Sequence, residues 1–231
     1  MTSGAITPAS RLSVRQGVST NPDADLAVRE LAAQIRQPES RLSLAFFSDA
    51  YDHEKLGQAL SLHLPGPLIG CSTAGQLSPL GFQRGGISGA SLASDYFQAI
   101  PYLIHPLSTV ATQVERIAAD VQKRLQTAGL QAFGLLLADG LSGREELLAA
   151  SLYRALGDVP IIGGSAGDML HFKKTFVYHD GRLLQDAAVF TLCLTSLPFS
   201  VFKHQHFHPT GKRLVITEAD SARRLVWEIN G

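Results

Sequence analysis

The sequence predicts a mixed α/β (α+β) domain that is internally duplicated, each half being a strand–helix–strand unit followed by antiparallel strands. The first observation is a repeat: Pro67–Ser72 and Pro160–Ser165 are identical at four of six positions. The second is an apolar run before each copy, ending at Asp49 and at Asp139 and followed by a helical stretch. The third is a series of strand-like runs after each copy. This mixture favours mixed sheets with helices on their outer faces.

Each predicted element depends on a periodic apolar pattern or a cap. Asn21-Pro22-Asp23 predicts a helix start, and Pro38 ends that helix. Ser142 to Glu145 has the spacing of a capping box. The predicted strands of the first half are 13–19, 42–47, 67–72, 87–93 and 97–104, with helices near 22–37, 52–62 and 109–126. The predicted strands of the second half are 133–138, 160–165, 175–179, 187–195, 199–207, 213–217 and 223–229, with a helix over 142–156.

A repeat of roughly 95 to 100 residues is too long for a solenoid unit and favours two half-domains facing each other. We expect a loose tail over residues 1–12 and one domain over 13–231, with halves at about 40–106 and 132–209. A ligand cavity is expected between the halves, since surfaces between elements form pockets easily. The abrupt end at Gly231 suggests that a second, C-terminal domain is missing from this chain.

Composition excludes several classes of function. The 231 residues carry 20 basic and 20 acidic side chains, so the chain has no net positive charge that would attract nucleic acid. No apolar stretch reaches the roughly 20 residues that a membrane helix needs, and no secretory signal begins the chain. Cys71 and Cys193 lack metal or redox spacing, so we expect buried fillers in a cytoplasmic protein.

Three groups of residues could carry chemistry. His204, His206 and His208 would share one face of a strand, where an imidazole could bind a metal or haem iron. Ser165 stands in a GxSxG pattern, with Asp180 or Asp186 and then His206 in the order of a serine hydrolase, although no helical stripe follows it. The candidate ligand-pocket residues at strand ends are Asp49, Asp139, Ser165 and Asp168, and turn formation or helix capping is the alternative role of the aspartates.

The motifs at Leu44–Asp52, Leu68–Gly75, Asp139–Gly143 and Pro160–Asp168 resemble the FIST N-terminal domain. The resemblance implies a sensory domain of a signal transduction protein that binds a small ligand and is not an enzyme. The segment His206–Asp220 is most similar to the bacterial branch that binds haem and senses nitric oxide to regulate a partner histidine kinase.

Carried over, this resemblance makes His206 the expected ligand of haem b, with His204 and His208 as alternatives. A FIST-type sensor of an amino acid or another small metabolite, without haem, is the second hypothesis. A serine hydrolase using Ser165 is the third.

Overall fold

The computed structural model describes residues 12–203, 207–221, 223 and 225–231. The chain divides into two compact units, one ending at Phe199 and the other spanning Ser200–Gly231. The predicted tail over residues 1–12 lies outside the described part except for Leu12.

Within its described residues, 12–199, the first unit contains four α-helices and most of the strands. Its helices are α1 (Ala24–Ile35), α2 (His53–His63), α3 (Val110–Ala128) and α4 (Glu145–Leu156), and a short 3-10 helix spans Leu107–Thr109. Its strands are β1 (Ser13–Ser19), β2 (Ser40–Ser48), β3 (Leu68–Thr73), β4 (Gln76–Ser78), β5 (Gly81–Gln83), β6 (Ile87–Ala93), β7 (Phe97–Ile104), β8 (Gln131–Ala138), β9 (Ile161–Ser165), β10 (Val177–His179), β11 (Arg182–Leu184) and β12 (Ala188–Thr195).

Local sequence explains where the helices begin and end. The carboxylates of Asp23 and Asp52 accept the backbone N–H groups of Leu26 and Lys55, which caps α1 and α2. α3 ends at Gly129, which adopts the left-handed conformation that favours glycine. The capping box predicted at Ser142 is wrong, because α4 begins at Glu145 without a side-chain cap on its first turn. The Ser142 hydroxyl instead donates to the carbonyl of Asp139.

The predicted duplication is present in the topology. In the first half, four strands form a sheet in the order β1-β6-β2-β3, and in the second half four strands form a sheet in the matching order β7-β12-β8-β9. Each sheet has one parallel pair of strands joined through a helix: β2 and β3 in the first sheet, β8 and β9 in the second. The other neighbouring strands are antiparallel. The structural repeat therefore starts earlier than the sequence motifs, at β1 and at β7.

The two sheets pack face to face, with a helical layer on each outer face. α1 and α2 cover the first sheet through residues such as Leu31, Leu56 and Leu60, and α3 and α4 cover the second through Val114 and Leu152. The predicted mixed sheets with helices on their outer faces are confirmed. The central layer between the sheets is apolar and contains Leu42, Phe46, Ile69, Cys71, Phe97, Phe133, Leu137, Val189 and Cys193.

This central layer does not support the cavity expected between the halves, because side chains from both sheets fill it. Two grooves, of about 660 and 600 Å³, lie beside the outer helices instead, one against α4 and one at the ends of α1 and α2. Cys71 and Cys193 belong to this layer, as expected, and burial raises the pKa of each thiol to about 12. Neither thiol is therefore suited to nucleophilic chemistry.

Two short hairpins were not predicted, although the strand predicted over 175–179 contains β10. β4 and β5 pair only with each other, whereas β10 and β11 extend the sheet of the first half. β10 lies antiparallel to β3, with Val177 opposite Cys71 and Tyr178 opposite Gly70. The second half thus donates a hairpin to the sheet of the first half.

The second unit contains one hairpin among its described residues, formed by β13 (Ile216–Asp220) and β14 (Leu225–Ile229). The strand predicted over 199–207 is wrong at its described positions 199–203 and 207, which have no regular structure. Throughout the described ranges, no helix combines the length and apolar character required to cross a bilayer.

Candidate functional site

The two halves meet at an eleven-residue segment, Ala166–Phe176, that joins β9 to β10; we call it the crossing loop. Its first part binds the end of β3, since the Gly167 N–H donates to the carbonyl of Ser72 at 2.9 Å. Its last part binds there too, since the Phe176 N–H donates to Ser72 Oγ at 3.0 Å. The crossing loop therefore ties the second half to the first.

Asp168 gives the crossing loop its shape. Its carboxylate accepts the backbone N–H groups of Phe172 at 2.8 Å, Lys173 at 2.5 Å and Lys174 at 3.0 Å. Burial by itself would raise the pKa of Asp168, but these three hydrogen bonds stabilise the charged form, and the net pKa lies below its ordinary value. Asp168 therefore shapes the loop. This is the turn-forming role that the sequence offered as the alternative to ligand binding.

The loop backbone is strained. Met169, Leu170 and Phe172 all have positive φ angles, between 52° and 66°, although none of them is glycine. Residues held in this way persist only where their surroundings fix them, and they occur often at ligand-binding and switching sites. The side chains of Leu170 and Phe172 are exposed. The loop thus presents two apolar side chains on a backbone held by one carboxylate.

Asp139 is also occupied by internal hydrogen bonds. Its buried carboxylate accepts the hydroxyl of Thr175 and the backbone N–H groups of Asp186 at 2.6 Å and Leu141 at 3.1 Å. These contacts join the end of β8 to the crossing loop and to the start of β12. Asp139 is therefore a structural residue of the junction, and its carboxylate is already committed to protein donors.

Asp49 is the predicted pocket residue whose carboxylate remains open to a ligand. Its side chain is 18% exposed, and Oδ2 lies 3.8 Å from Nδ1 of His171, whose side chain is 62% exposed. That distance is the outer limit of an ion pair. The backbone carbonyl of Asp49 contacts Nε2 of His53 at 3.2 Å, and the His53 ring packs against Phe176 with centroids 3.9 Å apart.

A partly exposed carboxylate that faces one imidazole, with a second imidazole on the backbone carbonyl of the same residue, suits a ligand that carries a hydrogen-bond donor or a cationic nitrogen. We call Asp49, His53 and His171 the Asp49 cluster.

Ser165 ends β9 and is exposed. The segment after it is the crossing loop, whereas a nucleophile elbow places its serine at the start of a helix. Asp180 lies in the β10–β11 turn, and His206 lies outside the described residues. The structure therefore brings no base to Ser165 within the part of the chain it describes.

Of the three clustered histidines, one lies among the described residues. His204 and His206 lie outside the described residues, and His208 is exposed in a segment without regular structure. Among the described residues, no group of three or more His, Cys, Asp or Glu side chains has the arrangement to hold a metal ion.

Sequence analysis named Asp49, Asp139, Ser165 and Asp168 as candidates, and all four lie on the crossing loop, next to it or in contact with it. It missed His53, His171, Thr175 and Phe176. His53 had a usable signal, since it follows the capping residue Asp52 at the start of α2. The contacts of His171 and Thr175 with Asp49 and Asp139 join residues far apart in the chain and have no local pattern.

Fold and junction together define a duplicated α/β domain whose two halves share a hairpin and a connecting loop. The FIST N domain family matches residues 41–231, and the chain belongs to this family of sensory domains. A related protein, the uncharacterized protein MJ1623 of Methanocaldococcus jannaschii, is 25% identical over 218 residues. That match covers 87% of this chain and 41% of the relative, so the chain spans about two fifths of its length.

A solved structure of a cyanuric acid hydrolase aligns with 80% of this chain and 68% of its own chain. The TM-score is 0.41 and the sequence identity is 9%. A similarity this weak carries no argument about activity.

Proposed function

We propose that this domain senses a small polar ligand at the Asp49 cluster and transmits the bound state to a signalling partner through the crossing loop. The ligand class is an amino acid or another small metabolite with a cationic nitrogen. Membership of a sensory domain family supports a binding role. The observation that carries the proposal is that one strained loop holds His171 beside Asp49 and also ties the two halves together.

The physical argument concerns two loop arrangements. A ligand shifts an equilibrium only if it binds one state more tightly than the other. A ligand bridging Asp49 and His171 gains both contacts only when the loop is ordered as described. The same loop exposes Leu170 and Phe172, so ordering it fixes an apolar surface that a partner can recognise.

The test is a thermal-shift and calorimetric screen against free amino acids and primary amines. A ligand at about one hundred times its dissociation constant stabilises the folded state by about 2.7 kcal/mol, which corresponds to several degrees. Asp49→Asn should abolish the shift, and Asp158→Asn, an exposed aspartate outside the cluster, should leave it unchanged. A shift that survives Asp49→Asn would remove the Asp49 cluster from this role.

Haem binding with nitric-oxide sensing, coupled to a histidine kinase, is the second proposal. It is supported by three histidines within five residues, His204, His206 and His208. Haem would supply the iron at which nitric oxide binds, and one imidazole would hold it. His208 alone does not fit this role, because its side chain is exposed in a segment without regular structure.

The haem proposal has its own test. Protein purified from haem-replete cells should show a sharp Soret band that moves when nitric oxide is added. His206→Ala should remove the band, with His208→Ala as the matched variant. A spectrum without a Soret band in the wild type would end this proposal and leave the metabolite proposal intact.

A further inference from the structure

The hairpins β4–β5 and β10–β11 are equivalent parts of the duplicated unit. Each has a two-residue turn, and the same number of residues separates Gln76 from Ile87 as separates Val177 from Ala188. Position by position, Leu77 corresponds to Tyr178 and Phe82 corresponds to Leu183. Their connections differ: two residues, Ala74 and Gly75, precede β4, whereas the eleven-residue crossing loop precedes β10.

In the first half, the donated hairpin β10–β11 closes the open edge of β3. Tyr178 and Leu183 pack into the layer formed by α2 and the sheet. The turn of the hairpin lies on α2 so closely that a Cβ added at Gly57 would lie 2.6 Å from the carbonyl oxygen of Gly181. An edge strand that would otherwise be open to pairing is thereby covered.

In the second half, no strand of residues 12–199 pairs with the equivalent edge. β9 is the last strand of its sheet, and Gly163, Gly164 and Ser165 are exposed. Beside it is a groove of about 660 Å³. The groove is lined by α4 and by the start of β9, through Ala149, Leu152, Tyr153, Val159 and Ile161.

This groove corresponds to the space that Tyr178 fills in the first half. The buried residues Leu56 and Leu60 of α2 match Leu148 and Leu152 of α4, so Gly57 matches Ala149 and Ser61 matches Tyr153. Ser61 and Gly57, which contact the donated hairpin, thus have their counterparts in the wall of the groove.

The other hairpin, β4–β5, is held on its own half by the buried side chain of Gln76, which is hydrogen-bonded to Thr73 and Gly85, and its apolar side chains are left exposed. Among the described strands, β4 and β5 pair only with each other, and Leu77 and Phe82 are 81% and 64% exposed. These are the counterparts of the two residues that pack against α2 in the first half. The side-chain sizes are also complementary. In the first half a large hairpin residue, Tyr178, faces a small helix residue, Ser61. In the proposed contact a smaller hairpin residue, Leu77, would face the large Tyr153.

We propose that the β9 edge and its groove bind the β4–β5 hairpin of a second copy of this chain. β4 would add antiparallel to β9, with Gln76 opposite Gly164 and Leu77 opposite Gly163, in the register that β10 takes on β3. Strand addition supplies main-chain hydrogen bonds, and Leu77 and Phe82 supply apolar burial in the groove. Each copy has one donor hairpin and one acceptor edge, so two copies satisfy each other in a symmetric dimer.

The test measures the oligomeric state of the full chain by analytical ultracentrifugation over a hundredfold range of concentration. The wild type should dimerise, and Leu77→Glu with Phe82→Glu should weaken the dimer at least tenfold. Both side chains are exposed, so the folded protomer should survive. Leu62→Glu, at an exposed leucine on α2 that is 69% accessible, is the matched control and should remain dimeric.

A mixing experiment assigns the two surfaces. Tyr153→Glu should disable the acceptor groove but leave the hairpin intact. Mixed with the double hairpin variant, it should form a heterodimer, although neither variant associates with itself. A wild type that stays monomeric overturns the proposal. So does a dimer that survives the hairpin substitutions, because another segment would then occupy β9.

Discussion

Ser72 and Ser165 occupy the same position in the two halves and differ in what surrounds them. Ser72 is fully buried, and it exchanges hydrogen bonds with Phe176 through both its backbone and its hydroxyl. Ser165 ends the uncovered strand β9 and is exposed. The two serines are therefore a matched pair: Ser72 lies on a covered strand, and Ser165 lies on an uncovered one.

Ser72→Ala should lower the free energy of unfolding by about 1–3 kcal/mol, because the Phe176 N–H loses its acceptor in a buried place. Ser165→Ala should change it by less than about 0.5 kcal/mol, as exposed substitutions usually do. Urea unfolding followed by circular dichroism measures both. Equal losses in the two variants would show that the hydrogen bond to Phe176 is not the cause.

Asp168→Ala should destabilise the protein by about 2 kcal/mol at pH 7, since three loop N–H groups lose a charged acceptor. The folded-state pKa of Asp168 is depressed, so its contribution is complete above the ordinary pKa of 3.8 and is lost as pH falls through the lower folded value. The difference between wild type and variant should therefore shrink at pH 3.

Chemical unfolding at pH 7 and pH 3 checks this pH dependence. The pKa values of Glu30 and Asp120 are also lowered, but both groups are present in either protein and cancel in the comparison. Asp158→Ala is the control. A difference that does not change with pH would mean that the charge of Asp168 is irrelevant.

At the residue scale, sequence predicted the location of the junction but not the role of each side chain. The two apolar runs that end at Asp49 and Asp139 suggest that these aspartates correspond. In the structure Ser48 is the counterpart of Asp139. The N–H group of each donates, at 2.9 Å, to the carbonyl of the residue just before the strand that follows the hairpin, Gly86 in the first half and Ala187 in the second. Both side chains also accept the N–H two residues later. The structural match is therefore one residue away from the sequence match. It depends on how the strands pair, which the sequence motif does not show.

At the element scale, the helices and long strands were predictable because each carries its own apolar period and caps. The three-residue strands β4, β5 and β11 are too short for a period to show, whereas β10 lies within the strand predicted over 175–179. The pairing of β10 with β3 joins residues over a hundred positions apart, as the Phe176–Ser72 hydrogen bond shows. The local sequence of a hairpin does not show which sheet the hairpin will join.

Gly57→Ala tests the docking of the donated hairpin on α2. Alanine favours a helix over glycine by about 1 kcal/mol, but the new Cβ would meet the Gly181 carbonyl, and such overpacking costs about 1–3 kcal/mol. We expect a net loss of stability and faster hydrogen exchange at Val177 and Tyr178. The matched change Ala149→Gly on α4 should cost about 1 kcal/mol through helix propensity alone. A stabilised Gly57→Ala protein would contradict the tight contact.

At the scale of the whole molecule, the sequence predicted the duplication and the outer helices correctly. It predicted a cavity in the centre, where the structure has an apolar layer shared by the two sheets. The repeat shows that two halves exist, but the side chains on the inner faces, such as Phe46 and Phe133, decide whether the halves enclose space or fill it. Alternating apolar residues on facing strands favour filling.

The isolated first half, residues 12–95, should therefore fail to fold. Alone it would expose the inner apolar face that includes Leu42 and Ile69, and it would lack β10 on the edge of β3. Heteronuclear NMR of this fragment should show the narrow amide dispersion of an unfolded chain, whereas residues 12–199 should give a dispersed spectrum. A well-dispersed spectrum from the fragment would show that the first half is independently stable.

The donated hairpin has a consequence for synthesis on the ribosome. The first sheet cannot be completed when β6 leaves the exit tunnel, because its last two strands, β10 and β11, are translated about ninety residues later. At ordinary elongation rates this delay is roughly 5 to 20 s. During that interval the nascent chain presents an unpaired β3 edge, which makes this the stage at which a chaperone would be needed most.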